Sequence, residues 1–99
     1  MLNFKRRSTT SILIPISNPA VDHSFFTHVL EQKVIKWLNE NVGAEASDLA
    51  TLIKPNSNTD WYVSDHPVVS VDADNKRNAS YVIYFVGKSK AAHFKLVWL

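Results

Sequence analysis

Residues 80–86 read Ser80-Tyr81-Val82-Ile83-Tyr84-Phe85-Val86, and this run decides the fold. At the strand period of two, Tyr81, Ile83 and Phe85 share one face and Val82, Tyr84 and Val86 the other. Both faces are apolar. A strand of that kind sits in the middle of a sheet or is covered on both sides.

Working outward, Gly87-Lys88-Ser89 reads as a tight connection, and Ala91 to Leu99 as the second arm of a β-hairpin. Phe94, Leu96 and Trp98 would form one face of that arm, with His93, Lys95, Val97 and Leu99 opposite. On the other side, residues 72–78 form a polar loop of turn formers. Before it, Trp61 to Ser64 and Pro67 to Asp72 are short strands separated at Asp65-His66-Pro67. Thr10 to Ile16 reads as a first strand with Ile12, Ile14 and Ile16 on one face. Pro15 lacks an N–H, which puts this strand at a sheet edge or ends it there.

Between these strands lies the helical part. Asn18-Pro19 looks like a helix start, with Asp22 or Ser24 as alternative caps, and Gly43 suits a helix end. At about 100° per residue with Phe26 at zero, Trp37, Leu30, Val34 and Leu38 fall at roughly 20°, 40°, 80° and 120°. His28, Gln32, Lys36, Asn39 and Glu40 gather on the other side, as in an amphipathic helix, and Ile35 falls on the wrong face. Ala44 to Lys54 suggests a short second helix stopped by Pro55, docked by Leu49, Leu52 and Ile53.

The sequence therefore predicts an α+β domain. An antiparallel sheet of about four to five strands carries one long helix and a short second helix on one face, in the order β-α-(α)-β-β-β-β. A single domain spans residues 1–99, and residues 1–9 form a flexible or partly ordered segment.

Composition narrows the function classes. The 99 residues are 45% hydrophobic and 20% charged, which is globular and not disordered. The absence of cysteine points to a reducing, cytoplasmic setting. The apolar run Ile12 to Ile16 is too short for a secretion signal or a membrane span. Only two glycines occur, Gly43 and Gly87, so phosphate-cradling loops are absent and no cofactor is expected. His23 and His28 are spaced so that they point to different helix faces, which does not suit a metal pair. Counted from Asp72, a calcium loop would need Gly and Glu where Arg77 and Ile83 stand. Asp60, Asp65 and His66 near Trp61 and Tyr62 are the most enzyme-like group, but they form no complete constellation, and no catalytic residue is assigned.

Two binding readings follow. Residues 19–60 hold three Lys against six Asp and Glu, a balance of −3; residues 75–99 hold Lys76, Arg77, Lys88, Lys90 and Lys95 with no acid, a balance of +5. The basic quarter, interleaved with aromatics, is the candidate nucleic-acid surface. The doubly apolar hairpin needs a cover that one helix does not supply. The first expectation is therefore a non-catalytic interaction module that homo-oligomerises, a dimer favoured, with Tyr84, Val86, Val97 and Leu99 in the interface. Its small size and lack of motifs suit an accessory protein of a mobile element or phage.

Overall fold

In a computed structural model, residues 6–24 and 28–99 are described. The class is α+β, with a mixed sheet of five strands and helices packed on it. The elements are β1 (Thr10–Pro15), α1 (Gln32–Asn41), β2 (Ala44–Glu45), α2 (Leu49–Leu52), β3 (Thr59–Val63), β4 (Val68–Val71), β5 (Arg77–Phe85) and α3 (Lys88–Trp98).

The doubly apolar run of residues 80–86 lies within and just beyond β5, the centre of the sheet. β1 pairs antiparallel along one side of it, Thr10 opposite Phe85 through Pro15 opposite Ser80. The other side is shared. β3 pairs with Trp61 opposite Phe85 through Val63 opposite Ile83, and β4 with Val68 opposite Ser80 through Val71 opposite Arg77. Asp65-His66-Pro67 is the break between these two partners, as its turn chemistry requires. β2 runs parallel to β3, so the sheet is mixed where an antiparallel one was expected.

One face of the sheet carries the core. Ile14, Trp61, Ile83 and Phe85 are fully buried there, under Val34 and Leu38 of α1 and Ala91 and Phe94 of α3. The Phe85 and Phe94 rings meet at 5.3 Å between centroids, and Trp37 of α1 packs edge-on to Trp98 at 6.3 Å. The opposite face holds Tyr62 and Tyr84, near-parallel at 6.3 Å. α2 packs against β3, with Leu52 buried outside the main core.

Four sequence expectations are corrected. Residues 91–99 are helix α3 and not the second arm of a hairpin. Ala91, Phe94 and Trp98 share one helical stripe and insert it into the core, while Leu96, a supposed strand neighbour of Phe94, is 85% exposed. The long helix shrinks to Gln32–Asn41. Residues 15–21 turn instead: Asn18 N–H donates to the Pro15 carbonyl, and its side-chain oxygen accepts from Ala20 N–H. An isolated antiparallel bridge then pairs Val21 with Leu30. Phe26, the reference of the helical wheel, lies outside the described residues. Finally, Ala44 to Lys54 is a two-residue strand followed by the short α2, and Ile35 is partly buried against the core and not on a wrong face.

In the N-terminal segment, Arg7 donates its N–H to the Ile53 carbonyl and its guanidinium to the Ser57 carbonyl, both at 2.9 Å. No helix among the described residues is long and apolar enough to cross a membrane.

Two aspartates hold local geometry. Asp48 caps α2 by accepting Thr51 N–H at 2.6 Å. Asp72 organises the β4–β5 turn by accepting from Asp74 N–H and Lys76 N–H, both at 2.9 Å, around Asn75 at φ 61°. The bonds from Thr51 to Asp48, and from the Lys76 N–H first of all to Asp72, hold both carboxyls below the usual aspartate range. A depressed folded pKa adds stability above the unfolded pKa, and that stability is lost as pH falls through the folded value. Asn at both positions still caps and turns but no longer titrates there. The urea midpoint of the wild type should therefore fall more steeply than that of the Asp48→Asn, Asp72→Asn double variant below the usual aspartate range. Parallel acid limbs would show that these bonds do not set the pH response.

Candidate functional site: the free edge beside α3

β1 is the outermost strand on its side of the sheet. The bond from Ile16 N–H to the Ala79 carbonyl sets which residues face inward. In an antiparallel ladder, bonded pairs alternate with non-bonded ones, so Ile14 and Ile12 also point their backbone groups at β5. Ser11, Leu13 and Pro15 then present theirs to the open side. Pro15 has no N–H to leave unpaired there, which is why this strand accepts a proline. The Leu13 side chain, on the face opposite α1 and α3, is 57% exposed.

Helix α3 overhangs the same edge. Its inward stripe faces β1, β5 and α1. Ala92, Lys95, Leu96 and Leu99 line a surface hollow, and a neighbouring one is bounded by Thr10, Ser11 and Ile12 of β1 with Lys88 and Lys95. Leu96 and Leu99 therefore lie exposed on the side where the sheet is unpaired. Charges on these two elements are of one sign: Lys88, Lys90 and Lys95 on α3, with Arg6 and Arg7 ahead of β1. Of these, Lys90 is engaged with Asp60 at 3.1 Å.

The structure divides the residues singled out as a nucleic-acid surface. Lys76 and Arg77 sit at the tip of the β4–β5 hairpin, while Lys88, Lys90 and Lys95 are on α3. The nine residues of β5 separate the groups by about 27 Å at the usual strand rise. Asp72 and Asp74 accompany the tip cations, so that end is not a basic patch. The four interface residues are divided as well. Tyr84 and Val86 belong to the face opposite α1 and α3, whereas Val97 is on α3 and Leu99 caps its end, in the other layer. Ala92 and Leu96 are not grouped with the basic residues of α3 in the sequence, because the C-terminal run reads with the period of a strand and puts Leu96 on one face with Phe94 and Trp98; Leu13 falls on the strand face opposite Ile12, Ile14 and Ile16.

Asp65 and His66 lie 3.5 Å apart with side chains 75% and 91% exposed. Nothing shields them from water, and a carboxylate–imidazole pair in bulk solvent has little leverage on a proton. His28 is engaged elsewhere. Its Nδ1 accepts Leu30 N–H at 3.1 Å, so Nε2 carries the proton it shares with Glu45. Among the described residues, no three His, Asp or Glu gather to hold a metal ion. Burial first, then the Asp65 and Asp48 carboxylates, raises the Tyr62 phenol above its usual pKa, which keeps it neutral and unsuited to act as a base.

The chain matches no known protein family, no curated protein and no solved structure.

Proposed function

We propose that this protein is a non-catalytic interaction module that self-associates through the β1–α3 edge, in a reducing, cytoplasmic setting. One observation carries the reading: a strand edge that is unpaired among the described residues lies beside exposed apolar side chains, Leu13 on the strand, and Leu96 and Leu99 on α3 and at its end. Unpaired edges template the addition of another strand unless they are blunted. Among the described residues, the blunting is confined to Pro15 at one end of β1. Exposed apolar residues beside such an edge add the hydrophobic gain that strand pairing alone lacks in water.

Light scattering and sedimentation over a range of concentrations should show association of the wild type. Leu13→Glu with Leu96→Glu should give monomers with an unchanged circular dichroism spectrum. Burying a leucine is worth about 1.5–3 kcal/mol, so losing two weakens association about a hundredfold or more. A wild type that stays monomeric at high concentration overturns the reading.

A further inference from the structure

A second edge is open as well. The hairpin of β4 and the start of β5 projects from the body, and residues 65–78 are all exposed. The chain is correspondingly long, 51 Å by 30 Å by 25 Å, with a radius of gyration of 14.4 Å where a compact chain of this size would have about 13 Å. Val68, Val69 and Val71 are 49%, 58% and 59% exposed on this arm. Three valines in a four-residue strand that touches no core are unusual, because their burial is what ordinarily makes such a strand worth ordering.

The ladder shows which way the arm faces. The bond from Asp72 N–H to the Lys76 carbonyl continues the β4–β5 register, so Ser70 and Val68 also point their backbone groups at β5. Val69 and Val71 point theirs outward, and before them stands Pro67, with no N–H to present. The open side of β4 is therefore Pro67, Val69, Val71, and that of β1 is Ser11, Leu13, Pro15.

These two edges fit one another. Run antiparallel, Leu13 meets Val69 and Ser11 meets Val71, each pair exchanging both of its backbone bonds. Pro15 then falls opposite Pro67, so the two missing N–H groups coincide at one end of the added ladder. Residues directly opposite share a face, so Leu13 packs with Val69 on the face of the first copy opposite its α1 and α3. On the α3 side, Thr10 falls opposite Asp72. Thr10 borders the hollow that also contains Lys88 and Lys95. The turn's own N–H groups hold Asp72 charged, and it would meet the two cations with its geometry already set. Pairing β1 with a second β1 would instead bring the like-charged α3 helices together.

We propose that the occupant of the β1–α3 edge is the β4 arm of a second copy of this chain, added as an antiparallel strand in the Leu13–Val69 register. This rests on the self-association reading and specifies its geometry. The contact joins unlike surfaces. It closes if two copies exchange arms reciprocally and otherwise propagates head to tail.

The absence of cysteine makes the register directly testable. Bonded cross-strand neighbours have Cα atoms about 5.5 Å apart, within the span of a disulfide. Leu13→Cys and Val69→Cys are both at exposed positions. The two single-cysteine proteins would be mixed in equal amounts, oxidised mildly and resolved by non-reducing electrophoresis with mass spectrometry of the linked peptides. The 13–69 cross-link should dominate, with little linkage when either variant is oxidised alone. A dominant 13–13 link would overturn the arm assignment in favour of paired β1 strands. Association of the wild type without any 13–69 link would overturn the arm assignment and leave self-association standing. A monomeric wild type would overturn both. As an independent check, Val69→Lys with Val71→Lys should abolish association of an otherwise folded protein, which pairing of β1 with β1 would leave intact.

Discussion

Replacing Trp61 by Ala should lower the unfolding free energy by about 3–5 kcal/mol, the range for removing a large buried aromatic side chain. Trp61 is fully buried on the central-sheet side of the core, its ring lies against His28 at 6.1 Å, and its Nε1–H donates to the Gly43 carbonyl at 2.9 Å. One side chain thus joins β3, the end of α1 and the chain ahead of α1. A domain of this size has about 5–15 kcal/mol of stability in all, so the variant would lose a large share of it. Urea unfolding followed by far-ultraviolet circular dichroism gives the value. Trp61→Phe keeps most of the ring volume but strands the Gly43 carbonyl, and should cost about 1–3 kcal/mol. A loss below about 1 kcal/mol for Trp61→Ala, far under the usual range, would mean that this side chain is not the junction described.

Gly43→Ala should cost a comparable amount, about 2–6 kcal/mol, for two reasons that can be separated. Gly43 sits at φ 140°, where an L residue is strained by about 1–3 kcal/mol. A Cβ there would also enter the space held by the Asp60 side chain, whose Oδ1 is tied to Lys90. Overpacking of that kind costs about 1–3 kcal/mol. In an Asp60→Gly background the steric part disappears and the backbone part stays. The same Gly43→Ala change should therefore be about 1–3 kcal/mol milder there. An equal cost in both backgrounds would assign the whole effect to the backbone. Because Trp61 bonds to Gly43, the Trp61 and Gly43 changes should also fail to add.

The parts of the fold legible in the sequence are those with local causes. β5 is recognisable because a short alternating run that is apolar on both faces suits little besides a covered central strand. The Asp72-to-Lys76 turn is recognisable because Asp, Asn and polar neighbours form their own bonds. Pro15 announces an edge strand by what it lacks. The C-terminal run is not legible. Ala91, Phe94 and Trp98 fit a helix stripe, while Phe94, Leu96 and Trp98 fit a strand face, and periodicity alone does not choose between them. The helix is similarly overextended in the sequence, because Pro19 and Asn18 serve a turn as well as they serve a helix start.

The candidate site depends on that ambiguous run, which is why the sequence groups residues that the structure holds apart. Alone, the sequence determined an α+β chain with an acidic middle, a basic C-terminal quarter, a central strand apolar on both faces and a proline-marked edge. Those follow from composition and from interactions within a few residues. Tertiary structure decided that residues 88–98 form a helix, that this helix packs beside β1 with Leu96 exposed, and that the cations fall into two separate groups. Each of these depends on which apolar side chains reach Phe85 and Trp37 from afar, and a contact across the core carries no signature in the local spacing of residues.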